Sequence, residues 1–236
     1  MAPNRMSNQL PKQLPKQLIM AWSSGKDSAW ALHRLRADPA FEITGLFTIF
    51  SAHERVFMHA VRPDVVQAQA ERLGLPLHVV RLPPGCSHEE YVARTRSLLA
   101  TARGNGATHV GYGDLYLESV RRHRFELLDG TGLSPVFPLW QEDTRDLARE
   151  MLHGGLETYV TAVDRTKLDR AFVGRQWNEA MIARFPPGTD PCGEGGEFHT
   201  CVIGGPMFSA PLAFELGEIV ERDGYAFADL QLRDET

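Results

Sequence analysis

The chain has 236 residues, of which 43% are hydrophobic and 23% are charged, a composition typical of a globular protein with a buried core. The formal net charge of -5 argues against nucleic acid as the main partner, because phosphate backbones favour a basic protein face. No apolar run approaches the roughly 20 residues of a membrane-spanning helix, so we expect no membrane partner.

The start of the chain and its cysteines indicate the compartment. Residues 1–16 contain the repeat Pro-Lys-Gln-Leu and lack an apolar signal core, which predicts a disordered tail rather than a targeting segment. Cys86, Cys192 and Cys201 form no close pair and no metal-type spacing. Free thiols in a reducing cytoplasm are the simplest interpretation.

Strand-like and helix-like patterns alternate along the first half of the chain. The patterns predict strands at 18–22, 42–50, 77–82 and 109–113, and helices at 27–36, 63–73 and 88–104. This alternation predicts an α/β fold with a doubly wound, Rossmann-like parallel sheet and helices on both faces. Ligands of such sheets bind at the carboxyl ends of the strands, so we expect the functional residues there.

A proline-containing segment at 134–138 predicts a boundary between a domain at 17–133 and a smaller C-terminal α/β domain at 134–236. In the second half we expect a helix at 144–153, a strand at 158–163, a helix at 176–185 and a glycine-rich loop at 188–205. A final hairpin is expected around Asp223-Gly224, with strands at 218–221 and 225–232. Its edge offers a surface for a homodimer.

A short polar loop with the composition of a phosphate-binding turn follows the first predicted strand. Its hydroxyls can donate to phosphate oxygens, its glycine allows close approach, and its lysine supplies positive charge. Its aspartate can cap the following helix or help to hold Mg2+. The alternative is a polar turn with a chance lysine. The loop consists of Ser23, Ser24, Gly25, Lys26, Asp27 and Ser28.

A second motif spans residues 190–200 and reads DPCGEGGEFHT. Its three glycines allow tight turns, and they are set among carboxylates, a cysteine and a histidine. Functional residues concentrate on loops of this kind, although a polar surface loop with a chance cysteine and histidine is the alternative.

Found in this order, the two motifs resemble the SGGKDS loop and the DPCGExGEFHT segment of the diphthine–ammonia ligase family, a branch of the N-type ATP pyrophosphatases with an adenine nucleotide alpha hydrolase-like fold. The resemblance covers most of the chain after the tail. Phe57-Met58-His59, Gly113-Asp114 and Pro138-Leu139-Trp140 are similar to further family segments. Ser24 stands where the family usually has glycine.

One stretch departs from the family pattern. The family's Tyr-Gln pair and a cysteine between Asp114 and Pro138 are absent. Phe137 precedes Pro138-Leu139-Trp140, as we expect for a bacterial side branch of the family. The activation chemistry therefore carries over more securely than the acceptor substrate.

The resemblance implies an ATP-dependent ligase. ATP with Mg2+ would dock on residues 23–28, with its adenine near Phe47, Thr48 and Ile49. A carboxyl-bearing acceptor would attack the α-phosphate, pyrophosphate would leave, and ammonia or another amine would then form an amide. Lys26 would stabilise the leaving pyrophosphate, and Asp27 and Asp114 are candidate Mg2+ ligands.

Further residues receive candidate roles from the same resemblance. Glu194 and Glu197 are candidate bases for the incoming amine, and His199 would share that role because histidine titrates near neutral pH. Cys192 is either a covalent nucleophile or a packing residue. His59 is either a nucleotide contact or an exposed loop histidine.

The acceptor would be held by residues between the two motifs and within the second one. These candidates are Glu118, Arg121, Arg124, Glu126 and Gly193. Two other functions stay open, an ATP-binding sensor without turnover and an RNA thiolation enzyme. Sensors of this fold lack the acidic motif, and thiolation enzymes usually carry cysteine pairs that are absent here.

Overall fold

The computed structural model of the chain describes residues 14–56 and 58–233. Residues 1–13 of the predicted tail therefore lie outside the described residues, and so does Phe57. The last residue of the predicted tail, Lys16, already belongs to the first strand.

The first half of the chain forms a five-stranded parallel sheet with the order β3-β2-β1-β4-β5. Its strands are β1 (Lys16–Ala21), β2 (Phe41–Phe50), β3 (Leu77–Arg81), β4 (His109–Gly111) and β5 (Ser134–Val136). Four helices connect them, α1 (Lys26–Ala37), α2 (Pro63–Leu73), α3 (His88–Gly104) and α4 (Glu118–Leu128).

Apolar residues of β1 point alternately into two cores, one on each face of this sheet. Leu18 and Met20 pack in the cluster that includes residues of α1 and α2, whereas Ile19 packs with Leu99 of α3 and Leu127 of α4. Helices thus cover both faces, which confirms the predicted doubly wound sheet.

Helix boundaries follow the local signals in the sequence. Pro63 occupies the first turn of α2, and Gly74 ends this helix with a φ of 65°. The Ser87 hydroxyl caps α3 by accepting a hydrogen bond from the backbone N–H of Glu90 at 3.1 Å.

The sheet extends past the boundary expected at residue 133, because β5 pairs with β4. A second, antiparallel sheet follows with the order β7-β6-β9-β8. It contains β6 (Glu157–Asp164), β7 (Phe198–Gly204), β8 (Phe214–Arg222) and β9 (Tyr225–Leu232) and is accompanied by α5 (Thr144–His153) and α6 (Glu179–Ile182). The division into two domains itself stays a prediction.

Two predicted elements of the second half were wrong in extent. The helix expected at 176–185 shrinks to α6, because Gln176 bridges to Tyr159 and the Asn178 side chain caps the helix only two residues later. The loop expected at 188–205 ends in β7, whose buried residues pair with β6.

The predicted hairpin is confirmed, and its first strand begins earlier than expected, at Phe214. Asp223 and Gly224 both adopt positive φ angles, 53° and 83°, as a tight two-residue turn requires. Because β8 lies at the edge of the sheet, the expected dimer-forming edge exists, and dimer formation stays a prediction.

Hydrogen bonds and ion pairs join the two sheets around the end of β1. The backbone N–H of Val202 in β7 donates to the carbonyl of Ser24 at 2.8 Å. The segment between β2 and α2 is tied to β9, because Arg55 and Arg62 both pair with Asp229, at 2.7 and 2.5 Å. No helix in the described ranges is both long and apolar enough to cross a membrane.

Candidate active site between the two sheets

A cavity of about 760 Å³ opens at the carboxyl ends of β1, β2 and β4. The helices α3 and α4 bound one side of it, and residues 192–200 bound the other. The sequence-predicted residues that line it are Ser23, Lys26, Asp27, Ser28, Phe47, Thr48, His59, Asp114, Arg124, Cys192, Gly193, Glu194 and His199.

The loop after β1 leads directly into α1, so the positive end of a 12-residue helix lies at the cavity. The hydroxyl of Ser23 donates to that of Ser28 at 3.1 Å, and Ser28 donates to the carbonyl of Gly25 at 2.9 Å. Gly25 is covered by the ring of His59, because a Cβ on Gly25 would lie 2.5 Å from His59 Cε1. These contacts fix the conformation of the loop, and its binding of phosphate stays a prediction.

Ser24 differs from its neighbours because its side chain is buried away from the cavity. Its φ is 69°, a left-handed conformation that costs a residue with a Cβ about 1 kcal/mol or more. Within the described part of the chain, its fully buried hydroxyl has no hydrogen-bond partner. The predicted contact between the Ser24 hydroxyl and phosphate does not fit this position of the side chain. Ser24 contributes through its backbone carbonyl, which accepts from the N–H of Val202.

Replacing Ser24 by glycine is expected to stabilise the protein by about 1 kcal/mol. Glycine adopts the positive φ without strain and removes an unpaired buried hydroxyl, and these gains exceed its entropic cost in the unfolded chain. Thermal unfolding should show a Tm higher by about 2–4 °C. Asp223→Gly changes an exposed turn residue with a similar φ of 53°. Its change in Tm therefore measures the relief of backbone strain without the removal of a buried hydroxyl. A lower Tm for Ser24→Gly would contradict this account.

Gly113, two residues beyond the end of β4, allows the close approach of two backbone segments. A Cβ at this position would lie 2.7 Å from the carbonyl carbon of Asp27 and from the nitrogen of Ser28. Since these are backbone atoms at the start of α1, no side-chain rotation relieves the contact.

Gly113→Ala is therefore expected to destabilise the fold by about 1–3 kcal/mol, as overpacking does. If the loop binds ATP, as the family resemblance implies, the same change should weaken ATP binding by about tenfold. Calorimetric titration with ATP and thermal unfolding measure the two effects. Gly104→Ala is the matched control, because a Cβ there meets nothing within 4 Å. Equal affinity in wild type and Gly113→Ala would contradict the expectation.

Lys26 connects the two motifs and is almost fully buried, with 2% of its surface exposed. Its ammonium donates to both carboxylate oxygens of Asp27, at 2.8 and 3.0 Å, and to the carbonyl of Cys192. Its backbone N–H donates to the Thr200 hydroxyl at 3.1 Å. Burial alone would lower the pKa of Lys26, but the adjacent carboxylate outweighs it and raises the pKa, so the group is a cation.

The two carboxylates predicted to bind Mg2+ already face cations. Asp27 pairs with Lys26, and both oxygens of Asp114 accept from Arg124, at 3.0 and 3.2 Å. No group of three or more histidine, cysteine or acidic side chains in residues 14–56 and 58–233 is arranged to hold a metal ion. Mg2+ in nucleotide sites is usually held by one or two carboxylates together with substrate phosphates, so Mg2+ binding by Asp27 and Asp114 stays a prediction.

Glu194 combines burial with an acceptor position at the cavity. One carboxylate oxygen accepts hydrogen bonds from the backbone N–H groups of Leu115 at 3.0 Å and Tyr116 at 3.4 Å. Burial raises the pKa of Glu194 to about 7, although the Leu115 bond acts in the opposite direction. A carboxyl group with this pKa can exchange protons near neutral pH.

His59 and His199 lie together with ring centroids 4.9 Å apart. Burial lowers the pKa of His59 to about 4 and that of His199 to about 3, so both are neutral at pH 7. The expectation that His199 titrates near neutral pH is thus wrong, because desolvation and the nearby Lys26 disfavour its charged form. The Thr200 carbonyl lies 2.8 Å from His59 Nδ1 and only accepts, so that nitrogen carries the proton.

Cys192 is buried, and its thiol donates to the carbonyl of Thr144 at 3.3 Å. Burial raises the pKa of this thiol, which disfavours the thiolate that a covalent nucleophile needs. The packing interpretation therefore fits better. Glu197 lies outside the cavity lining, with one carboxylate oxygen accepting from the backbone N–H of Asp190 at 3.3 Å.

Three of the predicted acceptor-binding residues lie away from the cavity. Arg121 stacks on the ring of Trp140 at 4.8 Å and pairs with Glu118 at 3.8 Å, and Glu126 is exposed. The face of α4 that carries Val120, His123, Arg124 and Leu127 lines the cavity, because residues three and four positions apart lie on the same side of a helix. Glu118, Arg121 and Glu126 do not line it. Arg124 and Gly193 remain candidates.

The sequence did not reveal the rings that line the α3 and α4 side of the cavity. These are His88, Tyr91, Tyr112 and His123. Tyr112 follows β4 directly, so its place at a strand's carboxyl end was a usable signal. The hydroxyls of Tyr112 and Thr48 are buried at the cavity and, among the described residues, have no hydrogen-bond partner.

Two protein-family models match this chain. The model for the diphthamide synthase N-terminal domain matches residues 16–132, and the model for the diphthamide synthase C-terminal domain matches residues 143–229. The two matches together include the loop at residues 23–28 and the acidic motif at residues 190–200.

Curated proteins named diphthine–ammonia ligase are similar to this chain. The protein from Rattus norvegicus is 25% identical over 230 residues, which cover 87% of this chain and 85% of that protein. The Homo sapiens protein is 31% identical over 101 residues, or 41% of this chain and 38% of that protein. The Schizosaccharomyces pombe protein is 30% identical over 112 residues, or 44% of this chain and 18% of that protein.

Among solved structures, the U34-tRNA thiolase NcsA from Methanococcus maripaludis is 16% identical to this chain. The match covers 59% of this chain and 58% of the thiolase chain with a TM-score of 0.36, a similarity too low to support a functional argument.

Proposed function

Because this chain belongs to the diphthamide synthase family, we propose that it is an ATP-dependent amide ligase. In the proposed reaction an acceptor carbonyl or carboxylate oxygen attacks the α-phosphate of ATP, and pyrophosphate leaves. Ammonia or another amine then attacks the activated carbon, AMP leaves with the bonding electrons, and an amide forms.

The observation that carries this proposal is the contact between the two motifs at Lys26. The loop at residues 23–28 supplies Lys26, and the acidic motif supplies two acceptors for it. The Cys192 carbonyl accepts from the Lys26 ammonium, and the Thr200 hydroxyl accepts from the Lys26 backbone N–H. The residues proposed to bind phosphate and those proposed for amine chemistry therefore line one cavity. The curated relatives named as ligases support the same reaction class.

The triphosphate end of ATP would lie at the start of α1, where the helix dipole and Lys26 both favour negative charge. Lys26 would stabilise the charge that develops on the departing pyrophosphate. The adenine would lie against Phe47 and Ile49, where the unpaired hydroxyl of Thr48 offers a hydrogen bond.

Glu194 is the proposed general base for the second half-reaction. It would accept a proton from the attacking amine, since the pKa of about 7 matches a group that loses and regains protons at neutral pH. The neutral histidines His59 and His199 add no positive charge that would repel an ammonium ion.

The product of ATP cleavage tests the proposal. Purified protein is incubated with ATP labelled at the α-phosphate, ammonium and a fraction of small carboxylic acids from cell extract, and the products are separated by chromatography. Labelled AMP that depends on both ammonium and the acid fraction supports the proposal. Labelled ADP would contradict the AMP-forming reaction, and binding of ATP without cleavage in any acceptor fraction would favour the sensor alternative.

A further inference from the structure

Gln69 is a fully buried polar side chain on α2 that contacts three separate segments around the phosphate-binding turn. Its side-chain oxygen accepts from the indole N–H of Trp22 at 2.9 Å. Its side-chain nitrogen donates to the carbonyl of Val202 in β7 at 2.6 Å and approaches the carbonyl of Ser24 at 3.4 Å. The amide thus joins the end of β1, the turn and the C-terminal sheet.

The orientation of this amide is fixed by its partners. The indole nitrogen of Trp22 only donates, and the carbonyls of Val202 and Ser24 only accept. One oxygen and one NH2 group are needed in these places, and among the common side chains of this length only glutamine supplies both. Glutamate would lack the two donors, and methionine would lack all three hydrogen bonds.

The Ser24 carbonyl belongs to the strained residue of the turn. With a φ of 69°, Ser24 keeps this conformation only where its surroundings enforce it. Two donors reach its carbonyl, the backbone N–H of Val202 and the Gln69 amide, and Gln69 also holds the carbonyl of Val202. The amide therefore supports the strained backbone both directly and through β7.

We propose that Gln69 is a positioning residue that holds the turn in the shape that binds the β- and γ-phosphates of ATP. This inference rests on the proposed function, because it assumes that the turn binds a triphosphate. Gln69 acts through the backbone of Ser24 and touches no substrate itself. Loss of the Gln69 amide should therefore weaken binding of the terminal phosphates of ATP and leave binding of the adenosine part unchanged.

The test compares the affinities of ATP and AMP, which share adenosine and differ in the two terminal phosphates. Calorimetric titration of Gln69→Met and Gln69→Glu, each measured well below its Tm, is expected to show ATP binding weakened by about tenfold or more and AMP binding unchanged. Steady-state rates with ATP should show a raised KM and a smaller change in kcat. Gln69→Glu keeps the size of the side chain, so it serves if Gln69→Met does not fold.

Arg36→Met is the matched control. The Arg36 guanidinium is also partly buried and bonds two carbonyls, those of Leu73 and Met207, at 2.5 and 3.0 Å, without contacting the turn. The Arg36→Met variant should have a lower Tm than the wild type, and its ratio of ATP to AMP affinity should equal the wild-type value. Adding Ser24→Gly to Gln69→Met should recover part of the ATP affinity, because glycine adopts this φ without strain.

Equal weakening of ATP and AMP in the Gln69 variants, or unchanged ATP affinity in folded protein, would overturn the positioning role. Wild-type protein that binds AMP and ATP equally would instead contradict the proposed phosphate site itself.

Discussion

Lys26→Met is expected to lower AMP formation by about 10³-fold, because it removes the cation proposed to stabilise the leaving pyrophosphate. The substitution also leaves Asp27 and the Cys192 carbonyl without their shared donor. Removing one partner of a buried ion pair lowers the free energy of unfolding. The loss here should be about 3 kcal/mol, at the lower end of the usual range, because 23% of the Asp27 side chain is exposed. Rates of pyrophosphate release and urea unfolding measure the two effects.

Two further variants separate catalysis from stability at Lys26. The double variant Lys26→Met with Asp27→Asn removes the uncompensated carboxylate, so it should regain stability without regaining turnover. Lys16→Met, at an exposed lysine on β1, should change neither quantity. Turnover near the wild-type level in folded Lys26→Met would rule out the proposed role of this ammonium.

Glu194→Gln is expected to lower the rate of amide formation by about 10²-fold or more, the usual loss when a general base is removed. In the wild type, kcat should rise with pH through an apparent pKa of about 7 and level off above it, since Glu194 accepts protons only when it is ionised. The variant should lose this rising limb.

The pH profile needs free ammonia to be held constant, because ammonia itself gains a proton as pH falls. Total ammonium is therefore raised at each lower pH. Glu118→Gln, at an exposed carboxylate outside the cavity, is the control and should keep the wild-type profile. A rising limb that persists in Glu194→Gln would assign the titration to another group.

The sequence was sufficient for the strands β1 to β4 and for the place of the loop at residues 23–28, because both depend on local signals. The strand β5 and the helix α4 were not predicted. Apolar runs, Pro63 and Gly74 define strands and helix ends within a few residues. The strand β7 was hidden because its residues form the end of a glycine-rich motif, and pairing with β6 across the chain decides their conformation.

The properties of the candidate site residues depended on partners far along the chain. The pairing of Asp114 with Arg124 depends on how α4 is rotated against the sheet, and the low pKa of His199 depends on burial by other segments. The inward turn of Ser24 depends on Gln69 and Val202, which lie 45 and 178 residues away. Local patterns contain no information on such contacts.

The hydrogen bonds from Val202 to Ser24 and from Lys26 to Thr200 have a consequence for exchanging parts between relatives. The candidate site is completed by residues from both halves of the chain, so we expect that the N-terminal half is not a self-sufficient module. A chimera joined near residue 140 would bring together a turn and a β7 strand that were not selected for each other. Exchange between family members is expected to preserve function only when Gln69, the turn and residues 190–202 are transferred as one unit.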